Sequence, residues 1–372
     1  METSANDNII TYARTEERSF AECAPTDVDL LVFSALAYAT FETVDGFPHD
    51  APVRVADLLR YGTPADYMGK DCNPRAMEEL LAAAVASPRF GAAAIARTAA
   101  MLDESRVIQF GAVAFDLPGD TTVIAFRGTD TSLVGWHEDL LMLSLPAVPA
   151  QIEALDFARR AIRKRPERTY LICGHSKGGS CTEYAALFLN SRQAARVARA
   201  VSFDGPALSR IGGTLEPELA SYDADIETFY RQCTIPLARY AFESEIALMM
   251  EYRDFDRFIY VAGNDPDLTH NVCSQRVVVG RFVPRVPTFE EMWDGLAFTR
   301  LARQLRADDR RFFATFVTDA CREAHIVPDL SPAGTAALKE ALAAQLGRVS
   351  PADRTRALHL AACWRRATAP AH

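Results

Sequence analysis

"LICGHSKGGSCTEYAALF", residues 171–188, passes from an apolar run through Gly174-His175-Ser176-Lys177-Gly178-Gly179 into a stretch with helical patterning. A serine at a sharp strand-to-helix turn projects its Oγ above a sheet, and flanking glycines let neighbouring backbone approach without Cβ clashes. The helix that follows aims its first amides at the same point, where they favour developing negative charge. The bland alternative is a tight turn that happens to contain serine. Five residues of Gly-x-Ser-x-Gly decide little alone, so the reading depends on what flanks them.

Upstream, "VIQFGAVAFDL" and "TTVIAFRG" are β-type runs joined by Pro118-Gly119-Asp120, a hairpin signal. A helix is predicted around "IEALDFARRAIRKR", then the strand "TYLICG", then a helix from Ser176 to about Asn190. "ARAVSFDGP", "IPLARYAF" and "RFIYVAG" add further strands. Strands alternating with helices predict an α/β fold, a mostly parallel central sheet flanked by helices. Nearer the start, "TDVDLLVFSALAYATFETV" opens on Thr/Asp caps and has helical spacing. "RAMEELLAAAVAS" and the alanine-rich "FGAAAIARTAAML" also read as helices. From residue 286 the pattern is helical throughout. The expected organisation is a core over residues 1–285, with an N-terminal helical segment, and a helical C-terminal region over 286–372 packed on it.

The 372 residues are 49% hydrophobic and 24% charged, enough apolar material for a sizeable core without disulfides. The charge of 40 − 49 = −9, with no strong basic block, argues against a nucleic-acid partner. No stretch approaches the roughly 18 apolar residues of a membrane span. "METSANDNIITYARTEERSF" lacks the charged and apolar regions of a signal peptide. The eight cysteines show no zinc-ligand spacing, and without an export signal the expected setting is cytoplasmic with reduced thiols.

A second stretch, "FRGTDTSLVGWHEDL", ends a strand in Arg127-Gly128-Thr129 and carries Trp136 and Asp139. With Gly-His-Ser-x-Gly-Gly, it resembles the class 3 (fungal-type) lipases of the α/β-hydrolase superfamily. The chain is still more similar to a bacterial lipase-like family marked by Gly-His-Ser-Lys-Gly-Gly, through "TDVDLLVFSALAY", "FRGTDTSLVGWHEDL", "GHSKGG" and "SFDGPAL". The resemblance spans roughly residues 8 to 285. It implies an α/β-hydrolase fold with a Ser/His/acid triad and an oxyanion hole formed by the backbone N–H of Lys177 and of Thr129, to which Thr129 Oγ could add a donor. Arg127 is expected to tie this loop down through a carboxylate.

Chain order in such enzymes is serine, acid, histidine. His270 follows the strand "FIYVAG" and the loop "NDPDLTHN", where a general base belongs, and the similar family has a histidine in this region. His175 adjoins the serine and is expected to point into packing. His137 reads as structural or substrate-lining, and His325 and His359 sit in helical stretches. The acid usually follows the strand two after the elbow strand, which points to the end of "IPLARYAFESEIALMM". There Glu245 matches the aspartate of class 3 lipases, with Asp204 in "SFDGPAL" as its rival and Glu243, Asp265 and Asp267 behind. The Lys177 side chain has two readings, recruitment of an anionic substrate group or, preferred, bracing against Glu138, Asp139 or another acid.

The expected activity is hydrolysis of a carboxylic ester, lipid esters included, through an acyl-enzyme on Ser176, without metal or cofactor. The partner would be a small-molecule acyl ester or lipid. A thioesterase or acyltransferase would use the same parts, and a non-catalytic binding module is the alternative from another class.

Overall fold

The structure, a computed structural model, describes residues 7–69, 73–208, 220–244, 246–249, 258–328 and 332–369. Strict alternation builds the middle of its sheet. In the strand Ile108–Asp116, Phe110, Ala112 and Ala114 face one side while Val113 and Phe115 face the other. The next strand, Thr121–Phe126, sends Val123 and Ala125 one way and Ile124 and Phe126 the other. Both faces are therefore apolar, and both require a covering layer.

The eight strands are β1 (Val53–Arg54), β2 (Ala94–Asp103), β3 (Ile108–Asp116), β4 (Thr121–Phe126), β5 (Thr169–His175), β6 (Val197–Phe203), β7 (Leu237–Ala241) and β8 (Phe258–Tyr260), and they lie side by side in that order. β1 to β4 pair antiparallel, and β4 to β8 pair parallel. The longer helices are α1 (Ile9–Thr15), α2 (Asp27–Leu36), α3 (Pro74–Ala86), α4 (Leu133–Leu141), α5 (Pro149–Lys164), α6 (Lys177–Phe188), α7 (Ala220–Gln232), α8 (Phe289–Gly295), α9 (Ala297–Gln304), α10 (Ala307–Ala324), α11 (Pro332–Arg348) and α12 (Pro351–Ala367).

One face of the sheet is covered by α2 and α3, through Leu30, Leu31, Phe33, Leu80 and Leu81. A capping box between Thr26 and Asp29 starts α2 where the sequence placed its caps. The other face carries α5 and α6, through Ala154, Phe157, Ile162, Cys181 and Ala185. Beyond the sheet, α9 and α12 share a small core around Leu301, Leu360 and Cys363. Ala302, Phe298 and Phe313 meet Leu143 and Ala207, and α10 lies along α4. Among the described residues, no helix is long and apolar enough to cross a membrane.

One expected helix is absent. "FGAAAIARTAAML" ends a short turn of helix, Pro88–Gly91, and then becomes β2. Alanine favours a helix by only tenths of a kcal/mol per residue. The antiparallel ladder from Ala94↔Asp116 to Asp103↔Ile108, with one bulge after Ile95, outweighs that preference.

Candidate active site

β5 ends at His175 and α6 begins at Lys177, leaving Ser176 alone at the junction with φ 58° and ψ −130°. A non-glycine residue in that region is strained, and here the surrounding backbone imposes it. The Ser176 N–H donates to Phe203 O at 3.0 Å, while Ser176 O accepts from Gly179 N–H at 2.8 Å. The glycines are demanded by contact. A Cβ on Gly174 would lie 2.1 Å from Gly178 O, and one on Gly178 would lie 2.2 Å from Phe126 O. Strand, turn and helix can cross this closely only without side chains at those two positions.

His270 arrives from a loop after β8 whose shape is fixed internally. Ser274 Oγ donates to Leu268 O at 2.5 Å, and the buried Gln275 donates to Thr269 O at 3.0 Å and Asn271 O at 3.1 Å. His270 Nε2 lies 2.9 Å from Ser176 Oγ, and its Nδ1 lies 2.6 Å from Asp204 Oδ2. With Nδ1–H donated to the carboxylate, Nε2 is free to accept from the serine hydroxyl.

The carboxylate on His270 is therefore that of Asp204, the rival in the sequence reading. Glu245, preferred there, lies outside the described residues. Asp204 sits just past β6, the strand immediately after the elbow strand, rather than two strands on. Its φ of 49° turns it back toward the site. Burial alone would raise its pKa, but hydrogen bonds from His270, Ser244 Oγ and the Phe242 N–H hold it below the ordinary carboxylate value.

His175 is buried as expected, yet it does more than fill space. Its Nδ1 lies 2.9 Å from Tyr38 Oη and its Nε2 lies 2.9 Å from His270 O. A carbonyl only accepts, so Nε2 carries the proton and Nδ1 accepts from the tyrosine. Burial, reinforced by the neighbouring His270 ring, pushes the His175 pKa down to about 3. The ring stays neutral and pins the backbone of His270. No spacing rule in the sequence pointed to this contact or to Tyr38.

On the facing loop, Arg127 donates to Ala37 O at 3.0 Å and Ala39 O at 2.6 Å, with Glu42 Oε1 at 3.3 Å. The expected tie is present, mainly through carbonyls rather than a carboxylate. Thr129 Oγ1 donates to Asp139 Oδ2 at 2.5 Å. That commits its single proton while Asp139 is ionised, leaving the Thr129 N–H as the group free to serve an oxyanion. Burial raises the Asp139 pKa to about 6, against the opposing pull of Lys177 and Thr129. Lys177 Nζ lies 3.0 Å from Glu138 Oε2 and 3.7 Å from Asp139 Oδ1, with its side chain 1% exposed. Burial alone would lower the lysine pKa, but Asp139 and Glu138 raise it above the ordinary value, so the ammonium stays charged. So deep a cation is out of reach of a substrate, which favours bracing over recruitment. His137 is partly buried near Arg322, Asp319 and Glu104, away from the Ser176–His270–Asp204 contacts. Among the described residues, no group of three or more His, Cys, Asp or Glu side chains is placed to hold a metal ion.

A sheet parallel from β4 to β8 with a serine on a strained strand-to-helix elbow, and a histidine and an aspartate delivered by later loops, is the α/β-hydrolase fold. The Mbeg1-like family model matches residues 84–216, a little over a third of the chain, which includes the elbow, the Arg-Gly-Thr loop and Asp204 but not His270. Similar solved structures include fungal lipases. The Rhizopus microsporus var. chinensis lipase is 11% identical with a TM-score of 0.36, over 63% of this chain and 72% of that one. Lipase II from Rhizopus niveus is 14% identical with a TM-score of 0.33, over 66% and 84%. The Rhizomucor miehei lipase propeptide complex is 15% identical with a TM-score of 0.30, over 47% of this chain and 58% of that one. No curated protein matches the chain.

Proposed function

We propose that this protein is a serine hydrolase of carboxylic esters, lipid esters among them, acting through an acyl-enzyme. The observation that carries the reading is the unbroken line Ser176 Oγ–His270 Nε2, 2.9 Å, and His270 Nδ1–Asp204 Oδ2, 2.6 Å, with Asp204 fully buried. His270 takes the serine proton as Oγ attacks the ester carbonyl, and the charge gathers on the carbonyl oxygen. The N–H groups of Lys177 and Thr129 receive that charge. Neither amide has a backbone hydrogen-bond partner among the described residues. Collapse of the tetrahedral species expels the alcohol, which leaves with the proton from His270. Water, deprotonated by the same imidazole, then attacks the acyl-serine; the acyl–Oγ bond breaks, the carboxylic acid leaves, and the proton returned by His270 restores Ser176. Asp204 keeps the ring in the useful tautomer and offsets the imidazolium charge. The seven described cysteines are all free, in keeping with the reducing, cytoplasmic setting proposed for the chain.

A fluorophosphonate probe together with a short-chain p-nitrophenyl ester tests the proposal. The wild type should label and turn over, Ser176→Ala should do neither, and His270→Ala should lose at least about 10³-fold in turnover. Folded wild-type protein that neither labels nor hydrolyses the ester would instead leave a binding module with a vestigial elbow.

A further inference from the structure

We infer that Lys177 is a positioning residue of the oxyanion hole, its side chain tying the elbow helix to the loop that carries the second amide donor; this rests on the hydrolase reading above. The two proposed donors belong to separate segments. The Lys177 N–H opens α6, whereas the Thr129 N–H sits in the loop between β4 and α4. Nothing covalent near the site sets the gap between them.

The Lys177 side chain bridges that gap. It reaches under α4 to Glu138 at 3.0 Å and faces Asp139 Oδ1 at 3.7 Å. Asp139, through its other oxygen, holds Thr129 Oγ1 at 2.5 Å. Asp139 Oδ1 is buried and accepts no hydrogen bond among the described residues, so the ammonium is what answers it. Glu138 is anchored in turn. It accepts from the Gln109 N–H of β3 at 2.9 Å and from the Ala150 N–H at the start of α5 at 2.7 Å. One residue thus offers its own amide to the oxyanion site and, through its ammonium and Asp139, holds the residue bearing the other amide.

Stability does not explain such a choice. Burying an ammonium is costly, and a well-packed apolar side chain often serves a core as well or better. What a lysine adds is a fixed distance, because both ends of the link are specified by charge and hydrogen bonding. A displacement of about 1 Å in a catalytic donor costs on the order of 10²-fold in rate.

The experiment compares wild type, Lys177→Met and the charge-balanced Lys177→Met/Glu138→Gln on an oxygen ester and on its thionoester twin. In the thionoester the developing charge falls on sulfur, a larger and weaker acceptor, so the hole contributes less to its rate. Both variants should lose roughly 10- to 100-fold in ester kcat with KM within about twofold. The thionoester should lose much less, so the ester-to-thionoester ratio should fall by about tenfold or more. An unchanged ratio in either folded variant overturns the inference, whatever happens to absolute activity. Failure of both variants to fold assigns Lys177 to stability and overturns it too. A wild type without turnover on either substrate fails the hydrolase reading itself, and this inference falls with it.

Discussion

Acid should destabilise the fold through one buried imidazole, and the size of the effect follows from its contacts. His175 is 4% exposed, accepts from Tyr38 Oη and donates to His270 O, so a second ring proton has nowhere to go. Its pKa of about 3 in the folded chain compares with 6.5 for a free imidazole. A depressed pKa contributes stability that is fully present above the unfolded value and is lost as pH falls toward the folded one. The window is therefore about pH 6.5 to pH 3, the slope about 1.4 kcal/mol per pH unit, and the whole about 5 kcal/mol. Asp139 acts in the opposite sense. Its pKa, raised from 3.8 to about 6, contributes stability at low pH that is lost as pH rises through about 6. Between pH 4 and 6 the two partly cancel, so the wild-type curve alone is uninformative and a difference is required. His175→Phe removes the titrating group while keeping a ring against Phe242. At pH 7 it should be destabilised by about 2–5 kcal/mol, because the two buried hydrogen bonds that His175 makes, to the Tyr38 hydroxyl and the His270 carbonyl, are lost. Urea unfolding followed by tryptophan fluorescence from pH 7 to pH 4 should show that deficit shrinking by about 3 kcal/mol. Parallel curves would refute a neutral buried His175.

Two further perturbations separate chemistry from architecture. Asp204→Asn should lower kcat for an ester by roughly 10³- to 10⁴-fold, since the amide can turn His270 to the wrong tautomer, and a loss below tenfold would mean that another carboxylate orients the ring. Gly178→Ala forces a Cβ to 2.2 Å from Phe126 O and should cost about 2–4 kcal/mol in a denaturant titration, whereas Gly119→Ala, in open space with φ 88°, should cost only about 1 kcal/mol, and equal effects would rule out the crossing as the reason for the elbow glycine.

The elbow was legible because its geometry is local. Gly174, Ser176 and Gly178 are set by a strand end, a helix start and one crossing, all within a few residues. His270 could be found because a loop after a strand end is a recognisable place, and only a few histidines compete for it. The partner of its Nδ1 could not be fixed in the same way. Which carboxylate reaches the ring depends on the backbone turn at Asp204 and on donors from Phe242 and Ser244, about 40 residues away in the chain. β2 escaped for a related reason. Its alanines speak for a helix, and the ladder that overrules them lies in β3. The Lys177 link was half legible, since its acids were named among the candidates, but the Tyr38–His175–His270 line joins three distant segments that no spacing connects.

The sheet is laid down in the order in which the chain is written, each strand beside its predecessor. A chain lengthening from its N-terminus can add every strand to an edge already present, without threading between finished neighbours. The serine strand and its elbow are complete well before the last parallel strands are. His270 lies 94 residues further on, beyond the final strand of the sheet. A growing polypeptide therefore carries its serine for a long interval without the imidazole that would draw off its proton. The reactivity proposed for Ser176 therefore waits on residue 270, and a product interrupted just before it would hold the whole run of eight strands yet lack its base.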